Sequence, residues 1–288
     1  IAMAAAGVDA RAAWTAAVDV AADAIDAVVQ PVLANKSRKA GSSTFHCILD
    51  TGLYLGGANV SSDDLRAAGI THVARILEDT THFVLPEEEL SGLFSVQVAD
   101  VQNSDLRPYF PEMCTFVAEA LKSGGKVYVH CAQGRSRSCT MVLSYLISGE
   151  VMPLLNAFAH VLERRDVGAI NLGFLAQLVD LDETVHGIQS LPLLSAFIAK
   201  ARWSSQVLAD KSRKFDALEV LELWKDPSAN TRDPGMAIVM LKASLGTLRH
   251  LLEGKVPEDE SYATIEPLCT TCCPSLHDQL NVMSVVAT

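Results

Sequence analysis

No stretch of this chain holds the roughly 18 consecutive apolar residues that a membrane-spanning helix needs. Basic side chains are scarce, with 23 Lys and Arg against 34 Asp and Glu, for a formal net charge of −11. A broad nucleic-acid surface is therefore excluded, and an anionic membrane is an unsuitable partner. The acidic excess reads as a solvated face, with a basic partner surface as the rival reading. Only 7 cysteines occur in 288 residues, an odd number without the spacing of a small disulfide framework. That excludes a disulfide-stapled secreted scaffold and favours a reducing compartment. A nucleotide phosphate loop of the Gly-x4-Gly-Lys-Ser/Thr kind is missing. Gly124-Gly125-Lys126 precedes an apolar run instead of following one, and it reads as the turn that closes a helix. No repeat at solenoid spacing is present, since the tetrad Lys-Ser-Arg-Lys occurs only at Lys36 and Lys211. Asp9, Asp19, Asp23 and Asp26 make the first segment too acidic for a transit peptide. The chain begins at Ile1, as a fragment or processed chain does, which leaves room for a targeting signal upstream.

What is present is ample material for a core: 49% of residues are hydrophobic, and the mean hydropathy is +0.23. Residues Val8 to Leu33 are alanine-rich and read as one helix with Pro31 near its end. Asn35 to Thr44 reads as a polar linker carrying Lys36, Arg38 and Lys39. From Phe45 to about Gly187, strand-like and helix-like runs alternate. That pattern predicts an α/β fold with a central, mostly parallel sheet flanked by helices. After Ser190 the apolar residues fall at helical spacing, as in Ile238, Leu241, Leu245, Leu248 and Leu252. The expected organisation is an N-terminal helix and basic linker over 1–42, an α/β unit over 43–187, and a helical extension with a cysteine-containing tail over 188–288.

The most informative stretch runs from His130 to Ser138. The apolar run Lys126-Val127-Tyr128-Val129 leads into it, and the helical run from Thr140 to Ile147 leads out. Cys131 thus opens a tight loop between a strand and a helix, and Arg137 closes it at the helix start. The loop amides of Ala132, Gln133, Gly134, Arg135 and Ser136 can point inward as partial positive charges around a tetrahedral dianion. Arg137 adds a planar fork that matches two phosphoryl oxygens. The same field favours the thiolate of Cys131. Gly134 allows a turn that a Cβ would obstruct.

These residues resemble the His-Cys-x5-Arg signature of the cysteine-dependent protein tyrosine phosphatases. Ser136 and Ser138 beside the arginine are similar to the dual-specificity branch. The likeness extends to Leu53-Tyr54-Leu55-Gly56 with Ala68-Gly69-Ile70-Thr71-His72-Val73, to Val98-Ala99-Asp100 with Tyr109-Phe110, and to Asn171-Leu172-Gly173-Phe174 with Gln177-Leu178. The resemblance implies a nucleophilic Cys131, a phosphate-binding Arg137, and Asp100 as general acid. It also implies that the Ser138 hydroxyl helps the sulfur leave. His130 orients the loop from behind. Neither cofactor nor metal is implied.

Each assignment has a rival. Asp105 lies in the same segment as Asp100 and could serve as the acid, but it reads better as a cap before Leu106-Arg107-Pro108. His130 reads as a structural histidine more readily than as a proton carrier. Asn171 reads as a support for the loop or a helix cap, outside the catalytic set. Arg135 is a solvated charge at the mouth, or a contact to a second phosphate or acidic flank of the substrate.

The expected partners are phosphorylated proteins. Lys211-Ser212-Arg213-Lys214 ahead of Phe215, Leu218 and Leu221 is similar to segments that recruit kinases, although an amphipathic helix with solvated lysines is the preferred reading. Cys269-x2-Cys272-Cys273 with His277 has soft ligands enough for zinc but no distant partner pair, so no metal is assigned. Cys47, Cys114 or Cys139 could trap an oxidised Cys131 as a reversible disulfide. Two alternatives stand beside the protein phosphatase. One is a phosphatase of phosphoinositides, glucans or RNA ends, and the other is a non-catalytic scaffold that binds phosphoproteins. The expected location is the cytoplasm or the nucleus, and the oligomeric state is left open.

Overall fold

The computed structural model describes residues 10–36, 45–79, 84–101, 104–165, 170–192 and 195–196. The chain divides into two compact units, one of Ile1–Ala27 with Leu191–Thr288 and one of Val28–Ser190. Helix α1, Ala10–Lys36, begins in the first unit. It extends past Pro31, whose missing N–H removes one helical bond, and past the expected linker start at Asn35. In the first unit, the Ser195 hydroxyl donates to the Val18 carbonyl at 3.2 Å. The rest of the expected basic linker, the tetrad at Lys211, the extension beyond residue 196, expected to be helical, and the Cys269 to His277 cluster lie outside the described residues.

The second unit holds the α/β fold. Strands β1 (Phe45–Leu49), β2 (Leu53–Gly57), β3 (His72–Leu77), β4 (Gly92–Gln97) and β5 (Val127–Cys131) form one sheet in the order β1-β2-β5-β3-β4. Pairings β2/β5, β5/β3 and β3/β4 are parallel, and only the edge pair β1/β2 is antiparallel. The central, mostly parallel sheet read from the alternating pattern is therefore present. β5 lies in the middle and every one of its residues is buried, as expected for a parallel strand covered on both faces.

Helix α4 (Arg137–Ser148) packs on β5, β2 and β3, and against α3 (Phe110–Lys122), α5 (Leu154–Arg164) and α6 (Leu172–His186). Nearly all of α4 is buried, including Met141, Val142, Leu143, Leu146 and Ile147. Each such side chain contributes about 2 kcal/mol of apolar transfer. Leu65 of α2 (Ser62–Ala68) belongs to a second apolar cluster with Val73, Val84, Leu85 and Tyr128. Gly124 sits at φ +79 and ends α3, with Gly124 N–H on the Leu121 carbonyl and Gly125 N–H on that of Ala120. This double closure is the turn expected of that glycine pair, and it delivers the chain to β5.

The start of α5 has no capping side chain of its own. The buried Asp182 of α6 supplies one, accepting the Leu154 N–H at 2.9 Å, while Ser190 Oγ accepts the Leu155 N–H at 3.1 Å. These contacts tie the start of α5 to the last turns of α6, and the opposite ends of the two helices, at Arg165 and Asn171, reach the loop that follows β5, where open α/β folds bind ligands.

Candidate active site

The loop from Cys131 to Arg137 is shaped from outside by the partners of its carbonyls. The Ala132 oxygen accepts the Ala58 N–H at 3.0 Å. The Gln133 and Gly134 oxygens accept Nη2 and Nε of Arg165 at 3.1 and 2.8 Å. With its carbonyls held outward, the loop turns its amides inward. The Gly134 N–H reaches Cys131 Sγ at 3.2 Å, and the amides of Arg135 and Ser138 also favour the charged sulfur. Successive inward amides of this kind make a concave anion site. Gly134 sits at φ +71, and a Cβ there would collide with the Gly56 carbonyl. Only glycine satisfies both conditions.

Cys131 is 2% exposed at the end of β5, beneath the first turn of α4. Burial pushes its thiol up. The Ser138 hydroxyl, donating at 3.2 Å, together with the amides of Ser138, Gly134 and Arg135, more than reverses that. The net direction is below the ordinary thiol value, helped by the helix N-terminus. Arg137 is also buried. Its Nη1 donates to the Val98 carbonyl at 2.9 Å, and its Nε stands 3.6 Å from Asp100 Oδ2. A low-lying thiol, a fixed guanidinium and a ring of amides can bind a tetrahedral dianion and attack its centre.

Asp100 follows β4 and its side chain is 33% exposed. Its Oδ1 accepts the Ser136 hydroxyl at 2.7 Å and Asn171 Nδ2 at 2.8 Å. Asp105 is directed elsewhere. It accepts the Arg107 N–H at 3.0 Å, and Arg107 Nε and Nη2 at 2.9 and 2.8 Å. Burial pushes its carboxyl up, but Arg107 brings it below the ordinary range. Asp105 thus stands one residue before Leu106, the N-cap of the turn Arg107–Tyr109, and is tied to Arg107 rather than serving as the cap itself. His130 is fully buried behind the loop, its ring stacked on Tyr128 with centroids 5.5 Å apart. Arg135 is exposed at the mouth. Cys131, Arg137, Ser138 and Asp100 are thus brought together, with His130 behind them.

Three residues beyond the expected set complete the site. Arg165, just past α5, pins two loop carbonyls and also contacts His46 Nδ1 at 3.0 Å. Asn171 caps α6 through Oδ1, which accepts the Phe174 N–H at 2.9 Å, while its other amide atom holds Asp100. Gln177 of α6 accepts the Leu106 N–H at 2.8 Å and donates to the Ser104 carbonyl at 2.7 Å. Asn171 and Gln177 both stand in segments that carry the family resemblance. Arg165 gives no local signal.

Cys47, Cys114, Cys131 and Cys139 are free thiols. Cys139 lies fully buried, and burial pushes its thiol far up. Cys47 donates to the Leu49 carbonyl at 3.1 Å.

Fold and site together define a cysteine-dependent phosphatase of the α/β class. Residues 53–184 match the family model "Dual specificity phosphatase, catalytic domain". Dual specificity protein phosphatase 1 of Arabidopsis thaliana is 34% identical over 142 residues, covering 48% of this chain and 70% of that protein. Dual specificity protein phosphatase 14 of Mus musculus is 34% identical over 148 residues, covering 51% and 73%. Dual specificity protein phosphatase 2 of Mus musculus is 40% identical over 139 residues, covering 46% and 42%. The chain belongs to the dual specificity phosphatase family, and it is an enzyme of the protein tyrosine/serine/threonine phosphatase class.

Proposed function

We propose that Cys131 attacks the phosphorus of a phosphorylated side chain in line, forming a sulfur–phosphorus bond as the ester bond breaks. Arg137 and the inward amides hold the equatorial oxygens, most tightly as charge spreads in the transition state. Asp100 passes a proton to the leaving oxygen and then takes one from the water that attacks the cysteinyl phosphate. Ser138 donates to the departing sulfur, and inorganic phosphate leaves. The observation that carries this reading is the environment of Cys131 Sγ, where the Ser138 hydroxyl and the Gly134 amide both lie at 3.2 Å.

The substrate class that fits is a phosphoprotein carrying phosphotyrosine and phosphoserine or phosphothreonine. The exposed Arg135 at the mouth suits an acidic or doubly phosphorylated flank. A thiolate that has to stay reduced suits the cytoplasm or nucleus. Kinase recruitment would rest on Lys211 to Lys214, and deleting the tetrad should weaken kinase binding if it does.

The test is hydrolysis of a small aryl phosphate against pH by wild type, Cys131→Ser and Asp100→Asn, with phosphopeptides and a phosphoinositide in parallel. Cys131→Ser should lose turnover. Asp100→Asn should lose the high-pH limb, because the acid acts only when protonated. Turnover retained in Cys131→Ser would refute the nucleophile. Faster hydrolysis of the phosphoinositide would move the substrate class, and phosphopeptide binding without hydrolysis would favour a scaffold.

A further inference from the structure

Asp100 is held from three sides, and the contacts are unequal on its two oxygens. Oδ1 accepts both the Ser136 hydroxyl, at 2.7 Å, and Asn171 Nδ2, at 2.8 Å. Oδ2 faces Arg137 Nε at 3.6 Å, and that Nε makes no hydrogen bond among the described residues. The orientation of the Asn171 amide follows from the helix it caps. Its oxygen takes the Phe174 N–H at 2.9 Å, so its NH₂ turns toward Asp100. An amide NH₂ only donates, so Oδ1 remains an acceptor in either protonation state of the carboxyl. A proton on Oδ1 would oppose that N–H, whereas a proton on Oδ2 leaves both bonds intact.

The segment carrying Asp100 is held again further along. Gln177, 1% exposed in α6, bonds the Leu106 N–H and the Ser104 carbonyl with its two amide atoms. Residues from the start of α6 therefore grip this segment at two points. Ser136, at the start of α4, adds a third point one residue before Arg137.

We propose that Asn171, Ser136 and Gln177 are positioning residues for the general acid, and that they assign the transferable proton to Oδ2 of Asp100, the oxygen turned toward the phosphate-binding arginine. The proposal rests on Asp100 being the acid. It gives Asn171 a second role beyond capping, and it makes the start of α6 part of the proton-transfer apparatus.

Capping and positioning separate experimentally. Asn171→Ser keeps an oxygen that can cap the helix but is too short to reach Asp100. The measurement is kcat/KM for a series of aryl and alkyl phosphates of rising leaving-group pKa. It is made on wild type, Asp100→Asn, Asn171→Ser, Ser136→Ala and each of these two combined with Asp100→Asn. Asn171→Ser and Ser136→Ala should each lose about tenfold on poor leaving groups and under about twofold on activated ones. In the Asp100→Asn background the same changes should add almost nothing. Equal losses across all leaving groups, or full additivity with Asp100→Asn, would overturn the proposal. If Asp100→Asn itself shows no dependence on leaving group, the acid assignment has failed instead. Ser136→Ala removes the 3.5 Å contact from the Asn171 N–H but keeps the capping bond from the Phe174 N–H to Asn171 Oδ1, so the comparison holds even if Asn171→Ser folds poorly.

Discussion

In the proposed mechanism the loop around Cys131 and the segment around Asp100 serve the same reaction, and they are built in opposite ways. In the loop, the backbone does the binding and is itself held by a backbone amide and by Arg165. The sulfur is 2% exposed. The Asp100 carboxyl is 33% exposed and is held by side chains alone. Charge on the phosphoryl group has to be stabilised throughout the reaction, and fixed dipoles shielded from water do this without reorganising. A proton has to depart and be replaced, and that requires contact with water. Burial is therefore permanent where charge is held and partial where a proton is exchanged.

The contrast can be tested by its pattern across leaving groups. Cys131→Ser should lower kcat by about 10⁵-fold or more on every substrate, the order found when an enzyme nucleophile is removed. Gly134→Ala should cost roughly 10³-fold on every substrate, because the new Cβ meets the Gly56 carbonyl and the loop has to shift. Arg165→Met should cost about 10- to 100-fold, again uniformly, and Arg165→Lys should recover only part of it, since one ammonium cannot span two carbonyls as a fork does. A loss confined to poor leaving groups in Arg165→Met would break the contrast. Ser138→Ala should have the smallest effect, about tenfold on kcat. Its sharper mark is on pH. The hydroxyl holds the Cys131 thiol down, so removing it raises that pKa and moves the low-pH limb of kcat/KM to higher pH. A limb that stays in place would show that the amides alone set the thiolate.

Local features are legible in the sequence, and tertiary ones are not. The loop can be read because its cysteine, glycine, arginine and serines lie within a few residues, bounded by an apolar strand and an uninterrupted helix. Asp100 can be read because it follows the strand that ends at Gln97. Arg165 cannot, because its partner carbonyl on Gly134 is 31 residues distant. Its neighbour Arg164 makes an ordinary contact with Glu163 at 3.1 Å, and nothing in the pair Arg164-Arg165 marks which of the two turns inward. Asn171 reads as a support or a cap and is both, since an amide has two faces and a sequence shows neither. The antiparallel pairing of edge strand β1 is local, a hairpin closed through Asp50-Thr51-Gly52, whereas the order of the parallel strands depends on long-range pairing. Helix α1 runs to Lys36, past Pro31, even though the missing N–H removes one bond and the ring crowds the carbonyl four residues back.

The contact between β2 and the catalytic loop sets a limit on what this enzyme can become. A Cβ at Gly57 would stand 3.1 Å from the Ala132 carbonyl, one at Gly134 would strike Gly56, and one at Gly56 would strike the Tyr128 hydroxyl that bonds the Gly57 carbonyl at 2.7 Å. Main chain rests on main chain between Gly134 and Gly56, and the Tyr128 hydroxyl fills the space over Gly56. The floor of the pocket therefore leaves little room for a side chain at any of the three glycines. Any lineage or designer seeking a new substrate has to work at the rim, where Arg135 and the segments beside it can change without disturbing the seat of the phosphate.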